Sequence, residues 1–152
     1  MDVGDRLPPV VLTASDGASV PLDTLPLPLV LYFYPKDDTP GCTREAGDFS
    51  ERMPAFTAAG VSVLGMSQDA PAKHLKFAEK HSLAVPLASD LDGSVLAAFG
   101  TWVEKQLYGR RYMGIERATF LFGRDGRVSR VWRKVKVAGH AEEVLAAARA
   151  LV

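Results

Sequence analysis

The run Leu29-Val30-Leu31-Tyr32-Phe33-Tyr34, closed by Pro35, is the most constraining stretch of this chain. Six consecutive aliphatic, β-branched and aromatic residues leave no polar face, so the segment suits a strand buried on both sides, the centre of a sheet covered above and below. From Thr43 the pattern changes. Ala46, Phe49, Met53 and Phe56 recur at spacings of three and four, with Arg44, Glu45, Asp48, Glu51 and Arg52 between them. That is an amphipathic helix ending near Gly60.

The remaining elements follow from the same reasoning. Val10 to Leu12 and Ser19 to Leu22, joined through Ser15-Asp16-Gly17, predict an N-terminal β-hairpin, because Asp-Gly accepts the positive φ of a tight turn. Val61 to Met66 reads as a strand, Pro71 to His81 as a helix, Val85 to Ala88 as a short strand and Ser94 to Phe99 as a short helix. Ala118 to Phe122 and Val128 to Trp132 form a second hairpin around Gly123-Arg124-Asp125-Gly126, and Val144, Leu145, Ala148, Leu151 and Val152 share one face of a closing helix. Strands and helices alternate first and a hairpin follows, which predicts an α/β fold: a central mixed β-sheet flanked by helices. The order resembles the thioredoxin-like arrangement, in one domain over residues 1–152.

Charge and cysteine content exclude several classes. The formal net charge is zero, with 18 basic and 18 acidic residues. Arg124, Arg127, Arg130, Arg133, Lys134 and Lys136 follow a strand without an aromatic platform and read as a solvated strand face, so no nucleic-acid partner is expected. The acidic N-terminus lacks the apolar stretch of a signal peptide, and a cytoplasmic protein without a membrane partner is expected. One cysteine excludes an intramolecular disulfide and suits a reducing compartment. His74, His81 and His140 carry no supporting motif for a cysteine hydrolase and read as surface residues. With one Cys and dispersed His there is no ligand-pair spacing, so neither a metal nor a cofactor is expected. Trp102 and Trp132 read as packing residues.

That single cysteine, Cys42, stands where the buried strand gives way to the helix. Pro40 and Gly41 before it fit a helix start, since proline's fixed φ and missing N–H are harmless in the first turn. Unpaired backbone N–H groups and the positive end of the helix dipole there favour a thiolate. Acidity alone is a weak lever for any thiol. Moving a pKa from ~8.5 to ~6 raises the thiolate fraction at pH 7 roughly 30-fold, while a Brønsted coefficient of about 0.45 costs about 12-fold in nucleophilicity. The net gain is about threefold. Fast chemistry therefore requires groups that hold the electrophile and stabilise charge on its leaving atom.

The segment Pro35-Lys36-Asp37-Asp38-Thr39-Pro40-Gly41-Cys42 resembles the Pro-x-x-x-Thr-x-x-Cys signature of peroxiredoxins. The longer run from Tyr32 to Glu45 is similar to the bacterioferritin-comigratory (PrxQ) subfamily. The likeness continues through Ser89 to Gly93, Phe99 to Trp102 and Gly114 to Leu121. The resemblance implies a thiol-dependent peroxidase in which Cys42 attacks H2O2 or an organic hydroperoxide and becomes a sulfenic acid. It further implies that Thr39 hydrogen-bonds the peroxide, that Pro35 shields the pocket, and that Arg117 donates to both sulfur and peroxide. Glu45 either orients Arg117 or favours the helix N-terminus through its charge.

The chain departs from that subfamily in one respect. Many members carry a second, resolving cysteine five residues after the first, where this chain has Gly47, and others carry it on the next helix, near Ala78 here. A one-cysteine enzyme is therefore expected, reduced by an external thiol: thioredoxin, a glutaredoxin-glutathione couple or another small thiol. A monomer or weak dimer is expected. The alternative is a peroxide sensor or thioredoxin-like binding module that keeps the thiol without turnover.

Overall fold

A computed structural model describes every residue from Met1 to Val152. Nine strands and four α-helices follow in the order β1 (Val11–Ala14), β2 (Ser19–Pro21), β3 (Leu29–Phe33), α1 (Pro40–Ala58), β4 (Ser62–Ser67), α2 (Pro71–His81), β5 (Leu87–Ser89), α3 (Ser94–Phe99), β6 (Trp102–Leu107), β7 (Arg110–Ile115), β8 (Ala118–Phe122), β9 (Val128–Trp132) and α4 (His140–Leu151). Seven strands form one mixed sheet in the order β2-β1-β5-β4-β3-β8-β9. β3 is parallel to β4 and antiparallel to β8. This is the thioredoxin-like α/β arrangement with its N-terminal strand pair.

All five residues of β3 are buried. Because successive side chains of a strand point to opposite faces, the apolar run feeds two cores. Val30, Tyr32 and Tyr34 pack with Phe49 and Phe56 of α1, Phe77 of α2 and Val144 of α4. Leu29, Leu31 and Phe33 pack on the other face with Val95 and Phe99 of α3 and with Phe120 and Phe122 of β8. Tyr32 stacks on Phe49 at 4.5 Å between ring centroids. Gly65 makes room for it, since a Cβ there would lie 2.6 Å from Tyr32 Cζ.

Helices α2 and α3 and strands β8 and β9 have the predicted limits, whereas other expectations need correction. The first strand begins at Val11 and also pairs with β5, and β5 itself runs from Leu87 to Ser89. Residues 102–115 form a two-stranded hairpin, β6 and β7, that was not read from the sequence. Its faces carry few core residues, so the apolar alternation that reveals a strand is weak. Its turn is marked by positive φ at Tyr108 and Gly109. Leu151 and Val152 are exposed, because α4 buries Ala141, Val144, Leu145 and Ala148 instead.

A further correction concerns histidines. His74 and His140 are buried, and each has a polar partner within the core. Two of the basic residues of β9 and its flanks pair with acids of the chain, Arg130 with Glu143 and Arg133 with Glu116, both at 2.8 Å, while Arg127 donates to Gly4 O. No helix is long and apolar enough to cross a membrane.

His140 links α4 to β8 through Thr119 Oγ1, 2.7 Å from its Nε2. Burial pushes its pKa down from 6.5 to about 4, against the pull of Glu143. The unfolded chain takes up this proton near 6.5 and the native chain only near 4. The contribution to stability is thus complete above about pH 6.5 and is lost as the pH falls to about 4. Urea unfolding across that window is expected to show the decline. His140→Gln, whose amide still reaches Thr119, is expected to flatten it.

Candidate active site

Pro35 stops β3, and residues 34–39 carry the chain to α1. Thr39 is extended (φ −91°, ψ 154°) and Pro40 is the first helical residue, which puts Cys42 third in the helix, still in its first turn. Thr39 O accepts the Thr43 N–H at 2.8 Å. The Thr39 hydroxyl makes no helix cap, contrary to the usual role of threonine at this position. It donates to Lys36 O at 2.9 Å, which leaves its lone pairs free to accept. Cys42 is 2% exposed.

The register of β3 against β8 pairs Phe33 with Ala118. The chain leaving β3 toward Cys42 therefore lies beside the chain entering β8 at Arg117. Arg117 is held at its backbone by Val135 N–H, which donates to its carbonyl at 3.0 Å. Its side chain bridges two groups. Nη1 donates to Glu45 Oε1 at 2.7 Å, and Nη2 donates to Cys42 Sγ at 3.3 Å. Gly41 permits this approach, because a Cβ at that position would sit 3.2 Å from Arg117 Nη2.

Glu45 is 2% exposed and its Oε2 has no hydrogen-bond partner. Burial pushes its pKa up from 4.5 to about 7 against the pull of the Arg117 guanidinium. Burial alone would lower the Arg117 pKa, but the charges of Glu45 and Cys42 outweigh it and hold the guanidinium above its ordinary value. The cation is thus fixed beside the sulfur, where it stabilises negative charge on sulfur and on any atom bound next to it.

Of the residues singled out from the sequence, Cys42, Arg117 and Glu45 are in direct contact, and Thr39 begins the helix that carries Cys42. Pro35 lines a neighbouring groove of about 400 Å³ with Lys36, Trp102, Lys105 and Met113. Trp102 is correspondingly exposed and belongs to this groove, not to the core. Trp132 does pack on the core, with the Arg130 guanidinium 4.6 Å above its ring.

Sequence reasoning missed the buried carboxylate of Asp37 and its partner His74. With Asp69 they bring three donor atoms within 4.8 Å of one another. Each of the three is already engaged in hydrogen bonds within the chain. A signal was available in α2, where His74 shares the inward stripe with Phe77, Ala78 and His81. For Asp37, flanked by Lys36 and Asp38, no local pattern sets it apart.

The geometry of a lone thiol at a helix N-terminus facing a paired arginine, on a thioredoxin-like sheet, defines a thiol enzyme. The chain belongs to the AhpC/TSA family, whose model matches residues 3–131, and it is a peroxiredoxin of the Bcp/PrxQ type. Peroxiredoxin Bcp of Xanthomonas campestris is 52% identical over 80% of this chain and 76% of the relative. Peroxiredoxin Bcp of Bacillus subtilis is 43% identical over 95% of this chain and 93% of the relative. Among solved structures, the Xanthomonas campestris bacterioferritin comigratory protein, described for its alkyl peroxide reduction activity, superimposes with a TM-score of 0.89 at 45% identity over 98% of both chains. Peroxiredoxin Q of the same organism has been solved as two separate cysteine-to-serine mutants, and the two cysteines are separated by the same number of residues as Cys42 and Ala78 here.

Two outcomes test the geometry. Native Glu45 binds its proton near 7 and the unfolded chain near 4.5, so the stability it contributes is present below about pH 4.5 and lost as the pH rises through about 7. Glu45→Gln is expected to remove that decline, changing the stability difference between variant and parent by at most about 3 kcal/mol across the window. Gly41→Ala is expected to displace the guanidinium and slow peroxide-driven oxidation of Cys42 roughly tenfold, measured by stopped flow, with the fold retained.

Proposed function

We propose that this peroxiredoxin is a one-cysteine peroxidase that reduces H2O2 and organic hydroperoxides through a sulfenic acid on Cys42. The observation that carries the reading is the Arg117 guanidinium held between Glu45 and the Cys42 sulfur at 2.7 and 3.3 Å. The thiolate attacks the terminal peroxide oxygen, an S–O bond forms as the O–O bond breaks, and the alkoxide or hydroxide leaves and takes up a proton. Sulfur loses two electrons and the peroxide gains them. Arg117 offers a fixed donor to the oxygens on which charge grows. The Thr39 hydroxyl, its own hydrogen given to Lys36 O, accepts a hydrogen bond from the peroxide O–H. Pro35 keeps water from the thiolate. The alkyl peroxide reduction described for the Xanthomonas campestris relative supports organic hydroperoxides as substrates.

Cys42 is the chain's only cysteine, and by the subfamily resemblance Gly47 and Ala78 stand where members hold a second. An external thiol, namely thioredoxin, a glutaredoxin-glutathione couple or another small thiol, therefore attacks the sulfenic sulfur and releases water. A second thiol then frees Cys42 as the reductant becomes a disulfide. The enzyme is an antioxidant of the cytoplasm, where such reductants are kept reduced, and works as a monomer or weak dimer of one 152-residue domain.

The cysteine count also favours a second reading, a sensor oxidised once without turnover. Continuous peroxide consumption with a panel of thiol reductants decides between them: steady consumption supports the enzyme, and arrest after one equivalent with every reductant supports the sensor. Cys42→Ser is expected to abolish consumption, and retained peroxidase activity in that variant overturns both readings. Under excess peroxide with no reductant, Cys42 is expected to gain the mass of a sulfinic acid, because no second thiol intercepts the sulfenic state.

A further inference from the structure

Asp37 lies inside the loop that delivers Cys42, yet it is 2% exposed while its neighbours Lys36 and Asp38 face solvent. A carboxylate so buried requires partners; the Asp37 side chain has two, and its backbone adds a third contact. Its Oδ1 accepts the Tyr34 hydroxyl at 2.5 Å, its Oδ2 lies 2.6 Å from His74 Nδ1, and its backbone N–H donates to Asp69 Oδ2 at 2.8 Å. His74 is fully buried in α2, and its Nε2 lies 3.0 Å from Ala88 O in β5.

The hydrogen count follows from these contacts. A carbonyl oxygen only accepts, so His74 Nε2 carries a hydrogen. The 2.6 Å contact between Nδ1 and Oδ2 needs one more, because two bare lone pairs repel at that distance. His74 and Asp37 together hold that proton, as imidazolium with carboxylate or as imidazole with carboxylic acid. Either way the pair is neutral overall, which makes its burial tolerable. The loop is thus tied by Asp37 to α2 and, through the imidazole, to β5.

We propose that the buried unit of Tyr34, Asp37 and His74 positions the peroxidatic site, through Asp37, by fixing the turn from Lys36 to Thr39. Thr39 Oγ1 donates to Lys36 O and closes this turn around Asp37. Thr39 then opens α1, and Cys42 and its contact with Arg117 follow from where that helix starts. Asp38 reinforces the attachment from outside. It adopts φ 61° and accepts from Lys80 Nζ and His81 Nε2, both at 2.7 Å, at the end of α2. Both acids of the loop thus bind the same helix, Asp37 through its core face and Asp38 through its rim. Tyr34, Asp37 and His74 are positioning residues: the sulfur's hydrogen bond comes from Arg117 and from none of them.

The inference rests on the reading of Cys42 as the peroxidatic thiol, and a pair of isosteric substitutions tests it separately. In His74→Asn the amide nitrogen takes the place of Nδ1 and keeps the Asp37 contact. In His74→Gln the amide nitrogen takes the place of Nε2, keeping Ala88 O but leaving Asp37. The measurement is the second-order rate constant for oxidation of prereduced Cys42 by H2O2, with urea unfolding of each variant alongside. His74→Gln is expected to slow oxidation by about 10-fold to 100-fold, and His74→Asn to stay within about threefold of the parent, although both are destabilised. Tyr34→Phe, which removes one hydroxyl and keeps the ring, is expected to slow oxidation several-fold and serves if His74→Gln does not fold. Equal rate constants in parent, His74→Gln and Tyr34→Phe, or an equal loss in the Asn and Gln variants, overturn the positioning role while leaving Cys42 peroxidatic. A parent protein whose Cys42 does not react with H2O2 overturns both readings.

Discussion

The Arg117 guanidinium, shared between a buried carboxylate and a buried sulfur, is the interaction on which the arrangement of this site depends. Removing Glu45 and Arg117 from water is costly, and an ion pair in such a place adds little to stability. What it supplies is geometry. A guanidinium with one edge fixed to Glu45 presents its other edge to Cys42 in a defined direction, and a fixed donor spends no energy reorienting as charge moves. The fold meets the requirements of this pairing from three sides: β3 and β8 set the register that brings the two chain segments together, α1 carries both Cys42 and Glu45 on one face, and Gly41 leaves room for the approach.

The loop between β3 and α1 has the complementary task, and it is built from polar contacts in an otherwise apolar core. Asp37 is anchored inward on Tyr34 and His74, and Asp38 outward on Lys80 and His81. A loop held only by surface contacts opens readily, because few buried groups resist its motion. Here the inner anchor is buried, so breaking it leaves charged or polar atoms unpaired. Helix α2, which holds both anchors, also carries Ala78. In this chain that helix offers structural support and no second sulfur.

Much of the fold was legible because its signals were local. The apolar run of β3, the three-and-four spacing of α1 and α2, and the Gly-Arg-Asp-Gly turn between β8 and β9 each report on neighbouring residues. The hairpin of β6 and β7 was illegible for the same reason, since strands lying outside the central sheet lack a strong buried face. The C-terminal end of α4 was overread, because Leu151 and Val152 continue the apolar stripe beyond the point where the core stops. At the site, Cys42 stood out by its place at a helix start, whereas Arg117 was named through the likeness to peroxiredoxins. Glu45 had two readings of equal merit until its 2.7 Å contact with Arg117 separated them.

By itself the sequence determined the alternation of strands and helices, the burial of β3 and the position of the only thiol in the first turn of a helix. These are properties of periodicity and of backbone geometry at a helix end, which a few consecutive residues suffice to specify. Only the tertiary structure decided that Arg117 reaches both Glu45 and Cys42, and that His74, which the sequence left as a surface group, meets Asp37 inside the core. The reason is physical: such contacts join residues tens of positions apart, and whether a charge faces water or a partner depends on how the sheet brings those segments together.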